Sequence, residues 1–178
     1  MDQRWVALLR AVNVGGRNAV PMAGLRGVLE EAGCSSVATY IQSGNVVFRH
    51  TRKDRGALAA ELEALIQKTF GVQAAVVLRT FAEIRKLAAA EPFGGDTEHT
   101  YVAFLAAKPE RKAVTALESL DIAPEGVEVV GSDVFLHYPN GLGRAKLTGA
   151  LLERRLGVHG TVRNWRTVTR LAEMAESA

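Results

Sequence analysis

Four short stretches of this chain carry residue types that packing alone does not select: Asn13-Val14-Gly15-Gly16-Arg17-Asn18, Tyr40-Ile41-Gln42-Ser43-Gly44-Asn45, His137 to Thr148, and Arg163-Asn164-Trp165-Arg166-Thr167. The chemistry they share is anion binding. Arg17, Arg144, Lys146 and Arg163 supply positive charge, and an arginine can grip a carboxylate or phosphate through two parallel N–H bonds. Asn13, Asn18, Gln42, Ser43, Asn45, Thr148 and Asn164 add neutral donors. Gly15, Gly16, Gly141 and Gly143 stand between a predicted strand and a predicted helix, where backbone N–H groups can face an anion. The competing reading is that the glycines close tight turns and that Ser43 and Asn45 satisfy a hairpin.

Known phosphate motifs do not fit. A P-loop needs glycine directly before its lysine, and Ala145 stands there. The dinucleotide pattern needs a last glycine where Lys146 stands. No nucleophile-elbow spacing occurs. His50, His99, His137 and His159 are far apart, with no carboxylate partner read in the local sequence. No metal-ligand spacing is present, and the glycine loops hold no Asp or Glu to serve a magnesium–phosphate site. No metal is expected, and no cofactor is identified. Lys146, His137 and Tyr138 are the candidates for proton transfer if they face a cleft.

The chain has 178 residues and a net charge of +3. From Gln3 to Leu29 it has four arginines and no acid, and from Asn140 to Arg170 seven basic residues against Glu153 alone. A surface built from those stretches would attract phosphates and other anions. Cys34 has no partner for an internal disulfide, and the first apolar run is too short for a signal peptide or a membrane span, so a cytoplasmic address is the default. RNA recognition on a split-βαβ sheet needs stacking aromatics on the central strands. Trp5 and Phe48 are the only ones offered there and their order does not match, which argues against sequence-specific RNA or DNA binding.

The elements that must position these residues are written twice. Trp5-Val6-Ala7-Leu8-Leu9 recurs as Tyr101-Val102-Ala103-Phe104-Leu105, and Gly44-Asn45-Val46-Val47-Phe48 as Gly131-Ser132-Asp133-Val134-Phe135. Arg4 to Ala11 is apolar on both alternations, as in a central strand. Pro21 suits a first helical position, and Met22, Leu25, Leu29 and Ala32 mark the face of a helix that Gly33 ends. Strands are predicted over Val37–Gln42 and Asn45–Arg49, joined by a two-residue turn at Ser43-Gly44. Thr51 with Asp54 opens a helix that Gly71 closes, and Ala74–Leu78 is the next strand. Thr80-Phe81-Ala82-Glu83 opens a further capped helix, and Glu91 to Glu98 is the best linker. Beyond it the pattern predicts strands at His99–Leu105, Val127–Val130, Val134–Tyr138 and Thr161–Arg163. Helices follow Pro109, run through Leu147–Leu156, and end the chain from Trp165 to Met174. Cys34, after a helix-stopping glycine, reads as a buried or inert thiol, and Trp165 as a core residue.

The four stretches resemble the signatures of the domain-of-unknown-function 1697 (DUF1697) family of bacterial proteins, with similarity from Val6 to about Leu171. Ala11 stands where a glycine is usual in that pattern and Ala145 where a serine is usual. The resemblance implies two ferredoxin-like halves and no activity. The expected fold is therefore α+β, a duplicated split-βαβ chain with a first half at 1–90 and a second at 97–178. The expected function is binding of a small phosphate- or carboxylate-bearing ligand at a basic, glycine-rich cleft. The alternatives are an enzyme acting on such a ligand, and a basic interaction surface for nucleic acid without sequence preference.

Overall fold

The computed structural model describes residues 2–178. The chain divides into two compact units: the first runs to Lys86 and takes in Arg170–Ala178, the second spans Leu87–Thr169.

The first unit runs β1 (Gln3–Leu9), α1 (Met22–Glu31), β2 (Ser35–Tyr40), β3 (Asn45–His50), α2 (Arg55–Phe70) and β4 (Val76–Thr80). Its sheet has the order β2-β3-β1-β4, with every neighbouring pair antiparallel. Trp5 to Leu9 are all buried, so β1 is covered on both faces, as its unbroken apolar run requires. Leu25 and Leu29 of α1 and Leu58, Leu62 and Ile66 of α2 pack on the Trp5, Ala7 and Leu9 face. The N-cap of α2 is Asp54, whose side chain accepts from Ala57 N, and Gly71 closes the helix in the left-handed region. Pro21 is the residue before α1 rather than its first residue.

The second unit repeats the order: β5 (Thr100–Leu105), α4 (Arg111–Glu118), β6 (Gly126–Val130), β7 (Asp133–His137), α5 (Gly149–Leu156) and β8 (Gly160–Asn164). Its sheet order, β6-β7-β5-β8, matches the first. The helices α3 (Phe81–Ala88) and α6 (Trp165–Ser177) follow the fourth strand of each unit. The chain is thus mixed α and β, with two similar four-stranded antiparallel sheets. None of the described helices is long and apolar enough to cross a membrane.

The two hairpins differ from the expected alignment by one residue. Ala7 pairs with Val46 and Ala103 with Val134, so Gly44 corresponds to Ser132 and not to Gly131. The amide hydrogen bonds agree, Leu9 N donating to Gly44 O and Leu105 N to Ser132 O. The cause is turn length. Tyr40 pairs directly with Asn45, leaving Ile41 to Gly44 as the first turn, whereas Val130 pairs with Asp133 around Gly131-Ser132. Gly44 is required where it stands. Its φ is +78°, and an added Cβ would lie 2.7 Å from both Leu9 Cβ and Val12 Cγ2.

Candidate functional site

In the first unit, two loops meet at the end of the sheet where β1 leaves and the β2–β3 hairpin turns. Asn13 ties them together: its Nδ2 donates to Gln42 O at 2.7 Å and to Val20 O, and its Oδ1 accepts from Val20 N. The side chain expected to meet a ligand is thus occupied by backbone. Asn18 Nδ2 donates to Ala11 O, and Asn45, fully buried, donates to Tyr40 O and Ser43 Oγ. Gly15 and Gly16, at φ +57° and +74°, form the tip of a miniature hairpin that Arg17 N closes on Val14 O. Paired positive φ values suit that two-residue turn, so the glycines answer to the turn.

Backbone strain concentrates here. Ala11, Asn13, Asn18 and Ile41 all have φ between +50° and +56°, the left-handed region that side chains disfavour. Ala11 holds this conformation without being glycine, the residue that takes it up at no steric cost. Strained residues cluster where a loop must hold one shape. What the two loops leave exposed is Arg17 and Gln42, whose side chains bond to no other described residue. Val14 and Ile41 are exposed beside them.

In the second unit, Tyr138 leads into a loop with Gly141 at φ +80° and a single 3₁₀ turn over Leu142–Arg144. The amides of Arg144 and Ala145 close on Gly141 O and Leu142 O. The next two amides face an anion, and that anion is the chain's own: Glu125 accepts from Lys146 N at 2.5 Å and from Leu147 N at 2.9 Å. Lys146 Nζ donates to Ala123 O at 2.6 Å. Thr148 is the N-cap of α5 and Asn164 caps α6, accepting from Thr167 N. Arg163 is buried, its Nη1 on Thr161 Oγ1 and Val162 O, and burial pulls its pKa down to about 10. Arg144 and Gly143 are exposed.

The proton-transfer candidates separate. Tyr138 is buried and donates to Leu147 O at 2.8 Å; burial, with Glu125 and Tyr101 nearby, raises its pKa well above the phenol range. It is a core residue of its unit. Lys146 spends its ammonium on a carbonyl. His137 is different, because Asp96 accepts from its Nε2 at 2.8 Å. The same carboxylate holds His99 Nδ1 at 3.0 Å.

This cluster was missed in the sequence, although Asp96 and His99 stand three residues apart in it; the expectation that no histidine has a local carboxylate partner is corrected. It is well supported. Phe93 stacks on His137 with ring centroids 5.1 Å apart. Gly126 makes room for that ring, since a Cβ there would lie 2.8 Å from Phe93 Cε1. The loop is pinned by Glu91, which accepts from Phe93 N, Gly95 N and the Thr100 hydroxyl. Those bonds outweigh the effect of burial and lower the Glu91 pKa, while His137 and then His99 lower that of Asp96. The described residues contain no set of three His, Cys, Asp or Glu placed to hold a metal.

No curated protein matches the chain. Among solved structures it is similar to the conserved bacterial protein SP0830 from Streptococcus pneumoniae, at 23% identity over 99% of each chain with a TM-score of 0.79. At that identity the likeness establishes a shared fold. The model of a family described as "Protein of unknown function (DUF1697)" matches residues 2–135. That stretch contains the strained loops of the first unit and ends before the Tyr138–Thr148 loop. The chain belongs to the DUF1697 family.

Proposed function

We propose that this protein binds a small ligand carrying a phosphate or carboxylate group, with Arg17 and Gln42 of the first unit as its contacts. The observation that carries the reading is the pair of loops tied by Asn13 to Gln42 O. They hold four non-glycine residues in left-handed conformations and leave Arg17 exposed and unbonded. Conformational strain is spent there, and an unpaired guanidinium is the product. A bidentate contact from Arg17 would anchor the anion, and Gln42 would select among polar groups nearby. The repeated strand order supports the ferredoxin-like description, and the family resemblance supports a bacterial protein.

The test is a thermal-shift screen against nucleotides, sugar phosphates and carboxylic acids. The reading expects one saturable shift that Arg17→Ala removes. If no compound gives a saturable shift, or if the shift is unchanged in Arg17→Ala, the reading fails.

The second reading, an enzyme acting on such a ligand, draws on Asp96. A carboxylate on His99 Nδ1 fixes the tautomer that leaves Nε2 as the base, and His99 is half-exposed. Turnover that falls in His99→Gln and His137→Gln and survives Lys146→Ala would favour it. Binding of nucleic acid without sequence preference would instead weaken steeply with salt.

A further inference from the structure

We propose that the turn ending at Leu147 is an anion seat and that Glu125 is its built-in occupant, displaced by a ligand bearing a carboxylate or phosphate group. The proposal rests on the ligand-binding reading above and extends it to a gated site in the second unit. Two consecutive backbone amides, Lys146 N and Leu147 N, converge on one carboxylate, each taking a separate oxygen. Successive N–H groups turned to one side form a concavity suited to an anion. They precede Thr148, the N-cap of α5, so the seat belongs to the turn and not to the end of the helix.

The seat is held without help from Glu125. Leu147 is fully buried, and its carbonyl accepts the Tyr138 hydroxyl from the core. Ala145 N closes on Leu142 O. Removing the carboxylate would therefore leave the two amides in place, still facing outward.

Two features mark Glu125 as an occupant that can be exchanged. The first is surplus charge. The Arg144 side chain is exposed and bonds to no other described residue, and the Lys146 ammonium rests on the neutral carbonyl of Ala123. A carboxylate present only to satisfy two amides would need neither cation, whereas a free phosphate or carboxylate would engage both. The second is the strap that carries Glu125. Asp121, Ala123 and Pro124 are exposed, and Ile122 is the buried residue among them. Lifting the end of that strap breaks the two bonds to the seat and exposes little apolar surface.

An internal occupant lowers the apparent affinity for an external one by the fraction of time the seat stands open. Glu125→Ala should therefore bind inorganic phosphate and acetate about tenfold or more tightly than the native chain. The direct experiment is chemical rescue. Unfolding of native protein, Glu125→Ala and Glu125→Ala/Arg144→Ala is followed while phosphate or acetate is added, with ionic strength matched by chloride. The expected result is a lower Tm for Glu125→Ala that rises saturably with either anion. The native protein should shift less at the same concentration, and the double variant should lose most of the rise.

Should Glu125→Ala fail to fold, Glu125→Gln keeps one acceptor and removes the charge, and the same rescue applies. A Tm that ignores phosphate and acetate beyond the chloride control, or a rescue undiminished in the double variant, overturns the proposal. Arg17→Ala stands outside this series, so failure of the seat is told apart from failure of the first-unit reading.

Discussion

Thr80 and Asn164 occupy the same position in the two units: Thr80 pairs with Trp5 and Asn164 with Tyr101, and each caps the helix that follows. Thr80 Oγ1 accepts from Glu83 N while Glu83 accepts from Thr80 N, a reciprocal capping box. Asn164 Oδ1 accepts from Thr167 N. A residue chosen from the sequence as a ligand donor thus has a helix to start. Asn164→Ala should cost about 1 kcal/mol of stability. Equilibrium denaturation measures that loss, and ligand affinity should not follow it.

Ala11 makes a prediction of the opposite sign. It holds φ +56° without being glycine. Relief of left-handed strain, less the entropy of freeing the unfolded chain, gives about 0.5–1 kcal/mol of added stability for Ala11→Gly. A urea midpoint that stays put or falls would contradict the strain assigned to this loop.

Gly44 should tolerate no side chain. Positive φ and contact with Leu9 and Val12 act together. Gly44→Ala should cost about 3 kcal/mol, combining backbone strain with overpacking. Thermal melts of the variant give the number, and Gly71→Ala, with open space around its Cβ position, serves as the control for strain alone.

Glu83 predicts an acid-sensitive contribution. Burial raises its pKa, but Arg55, bonded at 2.6 and 2.7 Å, and Thr80 outweigh that and hold it below 4.5. A group with a lowered folded pKa contributes above its unfolded value and loses that contribution as pH falls through the folded one. The pair is more than a third exposed, so solvent screens it. Glu83→Gln should cost about 0.5–1 kcal/mol at neutral pH. The gap to the native chain should narrow as pH falls below the ordinary glutamate range; denaturation at several pH values would expose a gap that persists.

Cys34 should be silent. Burial, with Glu61 adding repulsion, pushes its thiol up to about 12. The thiolate is the reactive form. A disulfide reagent at pH 8 should modify Cys34 only after denaturant is added, and rapid modification of native protein would refute its burial.

The repeated strands were legible because Trp5–Leu9 and Tyr101–Leu105 are continuous apolar runs, the pattern of strands covered on both faces. The four-residue turn at Ile41 was not legible, since nothing in an isoleucine announces φ +50°. The one-residue offset of the hairpins follows from it. The basic loops were found by composition, but composition cannot say where side-chain bonds go. Asn13, Asn45, Thr148 and Asn164 are polar because backbone needs them. Glu125 and Lys146 lie 21 residues apart, and His137 and Asp96 41 apart, so only folding brings each pair together. Asp96 and His99, three residues apart, are the pair among these that lies within reach of local sequence.

The bond from Asn13 to Gln42 O has a consequence for how relatives can diverge. Scaffold duty falls on Asn13, Asn18 and Asn45, while Arg17 and Gln42 are left with no architectural debt. Exchange of those two side chains leaves the frame standing, so selectivity at this end of the sheet can drift or be redesigned one position at a time without rebuilding the loops beneath.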